Sequence, residues 1–66
     1  MLVTLNGKNR EFKEPLSLED LVRDLSRNLP HVIAEINGRI IKKTDWPRTA
    51  IKNDDRIELV TFVGGG

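Results

Sequence analysis

Three consecutive glycines, Gly64, Gly65 and Gly66, end the sequence directly after an apolar, β-branched run. Glycine has no side chain and takes up almost any backbone conformation. A glycine tail could therefore carry a terminal carboxylate through a narrow channel into the active site of another enzyme. We take Gly66 as the candidate reactive residue, with Gly64 and Gly65 as its flexible tail. An inert, disordered chain end would also tolerate glycine, so the rest of the sequence has to separate the two interpretations.

Other side chains that could do chemistry are few. The sequence contains no cysteine and a single histidine, His31. Without cysteine there is no thiol nucleophile and no disulfide, and one histidine does not supply the ligands of a typical zinc site. We expect no catalytic residue, no metal site and no bound cofactor in this chain. If the protein handles an acyl group or sulfur, its own carboxyl terminus must carry it.

The composition predicts one small domain without a strong electric field. The 66 residues have room for a single core. Eleven basic and ten acidic residues are interspersed and give a net charge of +1, which does not favour nucleic-acid binding. The sequence has neither a basic leader nor an apolar run of membrane-spanning length. We expect a cytoplasmic protein, monomeric when free, that binds no nucleic acid and no membrane.

Two hairpins and one further strand are predicted around a helix. Asn-Gly pairs at 6–7 and 37–38 favour two-residue turns, because both turn positions need positive φ. The strands predicted from alternating or β-branched residues are 1–5, 9–13, 32–36, 39–41 and 56–63. The segment 43–49 has neither periodicity and is predicted as a loop or one tight helical turn, with Trp46 covering the edge of the core.

The helix is predicted from its apolar spacing and its first turn. Ser17 is suited to cap it, Asp20 falls at the position of a capping-box acid, and Pro30 ends it. The apolar residues that share one face by helical spacing are Leu18, Leu21, Val22, Leu25 and Leu29.

These elements predict a mixed sheet with the helix packed on one face. Because the helix connects the two hairpins by a crossover, some strands must pair in parallel. We expect the domain to span 1–62 and the tail to span 63–66. The predicted core is Val3, Leu5, Leu18, Val22, Leu25, Ile36, Ile57 and Leu59.

A small sheet that packs on one helix and continues into Gly-Gly resembles the ubiquitin-like β-grasp family, and within it the ThiS family of sulfur carriers in thiamine biosynthesis. The matching segments are VTLNG near the start, EING in the middle, Trp46, IKNDDRIE and FVGGG. The resemblance covers essentially the whole chain and implies an α+β fold with a mixed five-stranded sheet packed on one helix. Family members commonly have glycine in the turn before the last strand, where this chain has Asp54. Aspartate tolerates left-handed conformations, so we expect the turn to be kept.

The resemblance also implies a function in which the chain is a protein cosubstrate and not an enzyme. The carboxylate of Gly66 would be adenylated by an E1-like adenylating enzyme that uses ATP and magnesium. Sulfur from a donor such as a cysteine desulfurase would then convert it to a thiocarboxylate. The sulfur would finally pass to thiazole synthase.

The last strand suggests a surface for these partners. Alternate residues of a strand face opposite ways. If one set packs under the helix, Val60 and Phe62 emerge on the open face beside the tail, and we expect Leu2 of the first strand near them. We interpret Val60, Phe62 and Val63 as a partner-binding patch, although scattered exposed apolar residues are normal and need no such role.

Three other functions fit parts of the same pattern. The small subunit of molybdopterin synthase would share the tail chemistry and differ in the acceptor of the sulfur. A ubiquitin-like modifier would be joined to lysine side chains through the same glycine. A plain binding domain would have an inert tail.

Overall fold

The computed structural model describes residues 1–26 and 31–61. Its elements follow the predicted order: β1 (Leu2–Leu5), β2 (Lys8–Glu11), α1 (Leu18–Ser26), β3 (Val32–Ile36), β4 (Arg39–Ile41), a 3₁₀ helix (Lys43–Arg48) and β5 (Arg56–Thr61). The second strand begins and ends earlier than predicted, because it starts immediately after the turn. The 3₁₀ helix confirms the tight helical turn predicted around Trp46.

The five strands form one mixed sheet in the order β2-β1-β5-β3-β4. The two hairpins, β1–β2 and β3–β4, are antiparallel, and β5 lies between them. It pairs antiparallel with β3 and parallel with β1, with Leu5 opposite Ile57. The predicted parallel pairing is therefore confirmed, and it occurs between the first and the last strand.

Both hairpin turns have the backbone that the Asn-Gly pairs predict. The φ angles are +49° and +82° at Asn6 and Gly7, and +52° and +84° at Asn37 and Gly38. Positive φ at both turn positions matches the right-handed twist of the flanking strands. The two turns thus fix the register of the two hairpins locally.

Asp54 occupies the left-handed conformation at the turn before β5, with a φ of +71°. Its N–H donates a hydrogen bond of 2.7 Å to the carbonyl of Leu2. The side-chain oxygen of the neighbouring Asn53 accepts one of 2.7 Å from the Leu2 N–H. The turn expected to survive without glycine is present, and it joins the end of the crossover to β1.

The start of α1 is capped as predicted. The hydroxyl oxygen of Ser17 accepts a hydrogen bond of 3.1 Å from the N–H of Asp20, three residues later. This contact satisfies one of the free N–H groups of the first turn. The predicted helix face beyond Ser26, with Leu29 and Pro30, lies outside the described residues.

The core lies between α1, the 3₁₀ helix and one face of the sheet. Six of the eight residues predicted to form it are buried. The buried apolar residues are Val3, Leu5, Leu18, Leu21, Val22, Ala34, Ile36, Trp46, Ile51 and Ile57. The indole N–H of Trp46 donates to the carbonyl of Ile41 at 3.0 Å, so its polar group is satisfied at the core edge.

Two core predictions are wrong. Leu25 is 40% exposed, whereas Leu18 and Leu21 on the same helix are 0% and 1% exposed. Helical spacing identifies the face that turns inward but does not say how far along the helix the core reaches, and here the core ends before Leu25. Leu59 is only partly buried and packs against the edge of the core.

Truncation of two leucines on α1 tests this boundary. We expect Leu21→Ala to lower the free energy of unfolding by about 2–5 kcal/mol, because it leaves a cavity in a closed core. Leu25→Ala should cost about 1 kcal/mol or less, since its side chain already contacts water. Urea denaturation followed by circular dichroism measures both. Equal losses would place Leu25 in the core after all.

Candidate functional site

The predicted site has one residue in the described part of the chain. Gly64, Gly65 and Gly66 lie outside it, as do the patch residues Phe62 and Val63. Val60 is described, and Thr61 after it is the last residue of β5. The site can therefore be characterised by the strand that directly precedes the tail in sequence and by the groups that hold this strand.

Asparagine side chains from both hairpin turns hold β5. The Oδ1 atom of Asn6 accepts a hydrogen bond of 2.8 Å from the N–H of Leu59. The Oδ1 atom of Asn37 accepts one of 2.9 Å from the N–H of Arg56, and its own N–H donates to the Arg56 carbonyl at 2.7 Å. Each side chain extends the sheet's hydrogen bonding past the end of its strand. We call this arrangement the asparagine clamp, formed by Asn6 and Asn37 on β5.

The carboxylate of Asp55 supports one side of the clamp. It accepts 3.0 Å from the side-chain nitrogen of Asn37 and 2.7 Å from the N–H of Lys52. The first contact orients the amide so that its oxygen faces Arg56. The contact to Lys52 lies within the turn that precedes β5. The contact to Asn37 was not predicted, because the two residues are distant in sequence.

The face of the sheet opposite α1 carries an apolar stripe, which we define as Val60, Ile33 and Ile40. Val60 is 50% exposed and lies directly opposite Ile33 on β3. Ile40 on β4 is opposite Glu35 and therefore diagonal to Ile33. The predicted exposure of Val60 is confirmed. Ile33 and Ile40 were missed, although alternation along β3 sets Ile33 on the face opposite Ala34 and Ile36.

Leu2 does not join the stripe. It lies on the same face, but its carbonyl bonds to Asp54, at the turn that precedes β5. Val60 lies six residues after Asp54, a length of chain that spans roughly 20 Å when extended. The expectation that Leu2 lies near Val60 is wrong, because parallel pairing sets the start of β1 against the beginning of β5.

Two carboxylates lie beside the stripe. Glu35 and Glu58 are directly opposite each other on β3 and β5. They line a shallow depression of about 510 Å³ together with Thr4, Arg56 and the two hairpin turns. In the described part of the chain, neither carboxylate is in a salt bridge. Like charges at directly opposed positions cost stability. The surface beside the stripe therefore carries two opposed carboxylates, with Arg56 lining the same depression.

Within residues 1–26 and 31–61, no group of three or more metal-ligating side chains could hold a metal ion. No helix among these residues is long and apolar enough to cross a membrane.

The sequence matches the family model of ThiS over residues 3–66, which include the three glycines. The chain belongs to the ThiS family. A crystal structure of a thiamine biosynthesis protein, ThiS, from Geobacter metallireducens superposes with a TM-score of 0.84 at 30% identity, covering all of both chains. This likeness confirms the predicted ubiquitin-like β-grasp fold.

Relatives of two lengths resemble this ThiS-family chain. The sulfur carrier protein ThiS of Bacillus subtilis is 35% identical over 98% of this chain and 100% of the relative. A thiazole synthase of Paramagnetospirillum magneticum is 32% identical over all of this chain but only 20% of the relative. The chain thus spans about a fifth of the thiazole synthase that it matches.

Replacement of Asn37 by glycine separates the two roles of this residue. Glycine adopts positive φ more easily than asparagine, so a role in the turn alone predicts no loss of stability. Loss of the clamp contacts to Arg56 and Asp55 predicts a decrease of about 1 kcal/mol for Asn37→Gly. Thermal and urea unfolding measure it, and an unchanged or higher stability would show that the clamp contributes nothing.

Proposed function

We propose that this protein is a sulfur carrier of thiamine biosynthesis and that the carboxylate of Gly66 carries the sulfur. The observation that supports it best is the ThiS family match, which runs through the glycine tail to residue 66. The similar carrier from Bacillus subtilis is matched over its whole length. The sequence has no cysteine, so a carboxyl group is the available attachment point for sulfur.

The proposed chemistry begins with activation, because a carboxylate is a poor electrophile. An E1-like adenylating enzyme joins the Gly66 carboxylate to AMP, using ATP and magnesium and releasing pyrophosphate. A persulfide supplied by a donor such as a cysteine desulfurase attacks the Gly66 carbonyl and displaces AMP. Reduction of the resulting acyl disulfide by a thiol leaves a thiocarboxylate on Gly66. The carrier contributes no acid, base or metal to these steps.

The glycine tail suits this chemistry sterically. A side chain at Gly65 or Gly66 would crowd a carbonyl that has to accept both AMP and a bulky sulfur nucleophile. Ordering a flexible tail in a partner costs roughly 1–2 kcal/mol per residue in conformational entropy. The folded domain must therefore supply binding surface that offsets this cost.

Two features of the described structure support this proposal, an exposed apolar surface and a well-paired strand before the tail. β5 is the central strand of the sheet, and the asparagine clamp ties it to both hairpins. The apolar stripe begins at Val60, close in sequence to the tail. We infer that the stripe docks on the partner enzymes while the tail reaches the active site. Phe62 and Val63 stay predictions as members of this surface.

Thiazole synthase is the proposed acceptor of the sulfur. The thiazole synthase of Paramagnetospirillum magneticum contains a segment similar to this whole chain within one longer polypeptide. Two domains that are fused in one polypeptide are expected to interact. This supports binding between the present carrier and a separate thiazole synthase. The adenylating enzyme and the sulfur donor follow from the family chemistry alone.

Intact-mass spectrometry tests the role of Gly66. The protein is incubated with its cognate adenylating enzyme, ATP, magnesium, a persulfide source and a thiol reductant. We expect one oxygen at the C-terminus to be replaced by sulfur, because only the Gly66 carboxylate is activated. A variant lacking Gly66 should give no such product while keeping its circular dichroism spectrum.

The same experiment distinguishes the other functions. A ubiquitin-like modifier would appear in isopeptide linkage to lysine, and an inert tail would stay unchanged. Sulfur on Gly66 that thiazole synthase does not accept, but that is used when the chain is combined with the large subunit of molybdopterin synthase, would assign the molybdopterin branch. An unmodified C-terminus under conditions that sulfurate the Bacillus subtilis carrier would overturn the proposed function.

Charge substitutions test the stripe. We expect Val60→Asp and Ile33→Asp to weaken binding to the adenylating enzyme and thiazole synthase by about tenfold or more, since a carboxylate would be buried against an apolar partner surface. Leu2→Asp is the matched control, because Leu2 is similarly exposed on the same face but lies at its other end. Titration calorimetry measures the affinities. If all three variants bind like the parent, the stripe is not the docking surface.

A further inference from the structure

Among the described residues, the end of β5 has a strand on one side only. Val60 and Thr61 are paired with residues of β3. On the other side β1 ends at Leu5, which lies opposite Ile57, and the chain then turns away at the hairpin. The last residues of β5 thus continue past the strand that flanks its first half.

The main-chain groups at this end can be assigned a direction. Successive residues of a strand form their hydrogen bonds toward opposite neighbours. The carbonyl of Ile57 accepts 2.9 Å from the N–H of Asn6, and the Leu59 N–H donates to the Asn6 side chain. These residues therefore face β1, and by the same alternation the Leu59 carbonyl and the Thr61 N–H face the side that β1 no longer covers. Within residues 1–26 and 31–61, no group bonds to either of them.

This edge also lacks the usual protection. Exposed strand edges are commonly guarded by charged residues, proline or a bulge, because they can pair with other chains. Leu59, Val60 and Thr61 are uncharged, and Val60 is half exposed. The unguarded edge is continuous with the apolar stripe and directly precedes the tail in sequence.

We propose that an extended segment of thiazole synthase pairs with this edge of β5 and adds a strand to the sheet while the tail is delivered. The proposal rests on the sulfur-carrier function and specifies how the acceptor holds the carrier. In a parallel arrangement, one partner residue opposite Val60 donates its N–H to the Leu59 carbonyl and accepts the Thr61 N–H. That residue would make the same pair of contacts that Asn6 makes to Ile57 and Leu59, shifted by two residues along β5.

Two observations favour an extended segment of a protein that receives the tail, and a third favours thiazole synthase as that protein. A free main-chain donor and acceptor fit an extended peptide, which satisfies both at once. The edge lies next to the tail in sequence, so a protein that receives the tail comes within reach of it. A domain similar to this chain occurs inside a thiazole synthase polypeptide, so the two proteins are joined in one molecule there.

Amide hydrogen exchange measured by NMR tests the added strand on the unaltered protein. In the free carrier, the Thr61 amide should exchange at least about tenfold faster than that of Val60, whose N–H points toward β3. Saturation with cognate thiazole synthase should slow the Thr61 amide at least about tenfold. Fast exchange at Thr61 in the saturated complex would overturn the proposal.

Proline substitution tests the same hydrogen bond by affinity. Thr61→Pro removes an N–H that no described residue uses, and proline is tolerated where a strand's N–H faces outward. Binding to thiazole synthase should weaken about tenfold or more, while Thr61→Val, which keeps the N–H, should bind within about twofold of the parent. Titration calorimetry gives the affinities, and circular dichroism checks that the fold is retained. If Thr61→Pro does not fold, the exchange measurement on the parent protein decides alone.

The outcomes separate this proposal from the function on which it rests. Suppose that the parent protein is sulfurated on Gly66 and that Thr61→Pro binds thiazole synthase with the same affinity as the parent. This result overturns the added strand and leaves the carrier function standing. Failure of sulfuration at Gly66 is the separate result that overturns the carrier function.

Discussion

The placement of β5 between the two hairpins is the constraint on which the rest of this structure depends. Two-stranded hairpins are at best marginally stable alone. Here they are joined through β5, which pairs with β1 in parallel and with β3 antiparallel. Ile57 of β5 is almost completely buried in the core. The strand that closes the sheet is also the strand that precedes the glycine tail in sequence, and it pairs with one strand of each hairpin.

The asparagine clamp makes this attachment economical. Asn6 and Asn37 occupy the positive-φ positions of their turns and also bond to β5 through their side chains. Glycine would adopt the positive φ but has no side chain to accept a hydrogen bond. Aspartate would accept the bond but would add a negative charge. Asparagine supplies the conformation and a neutral acceptor together. The two short hairpins thereby bind β5 without longer strands. Because β1 ends at Leu5, the end of β5 has no described strand on that side.

Sequence reasoning succeeded where the signal is local. The Asn-Gly pairs predicted both turns, and Ser17 predicted the helix start, because these motifs act within a few residues. It failed where the answer depends on distant parts of the chain. The exposure of Leu25 depends on how far the core extends under the helix. The separation of Leu2 from Val60 depends on the parallel register of β1 and β5, which no local pattern encodes.

The candidate site was predictable in part for the same reason. Alternation along β5 placed Val60 on the open face, and the structure confirms its exposure. Ile33 and Ile40 join it only because β3 and β4 lie beside β5, and strand order is a property of the whole sheet. The position and flexibility of the three glycines suggested Gly66 as a candidate reactive residue, whereas the sulfur chemistry proposed for it came from the family pattern.

The parallel pairing of β1 with β5 has a consequence for biosynthesis. The two strands are separated by about fifty residues of sequence, so the sheet cannot close until β5 has left the ribosome. Up to that point the nascent chain has two hairpins and a helix but lacks the central strand that joins the hairpins into one sheet. A chain cut short before β5 would therefore lack both the element that completes folding and the glycines that follow it. Incomplete products would therefore be open to proteolysis.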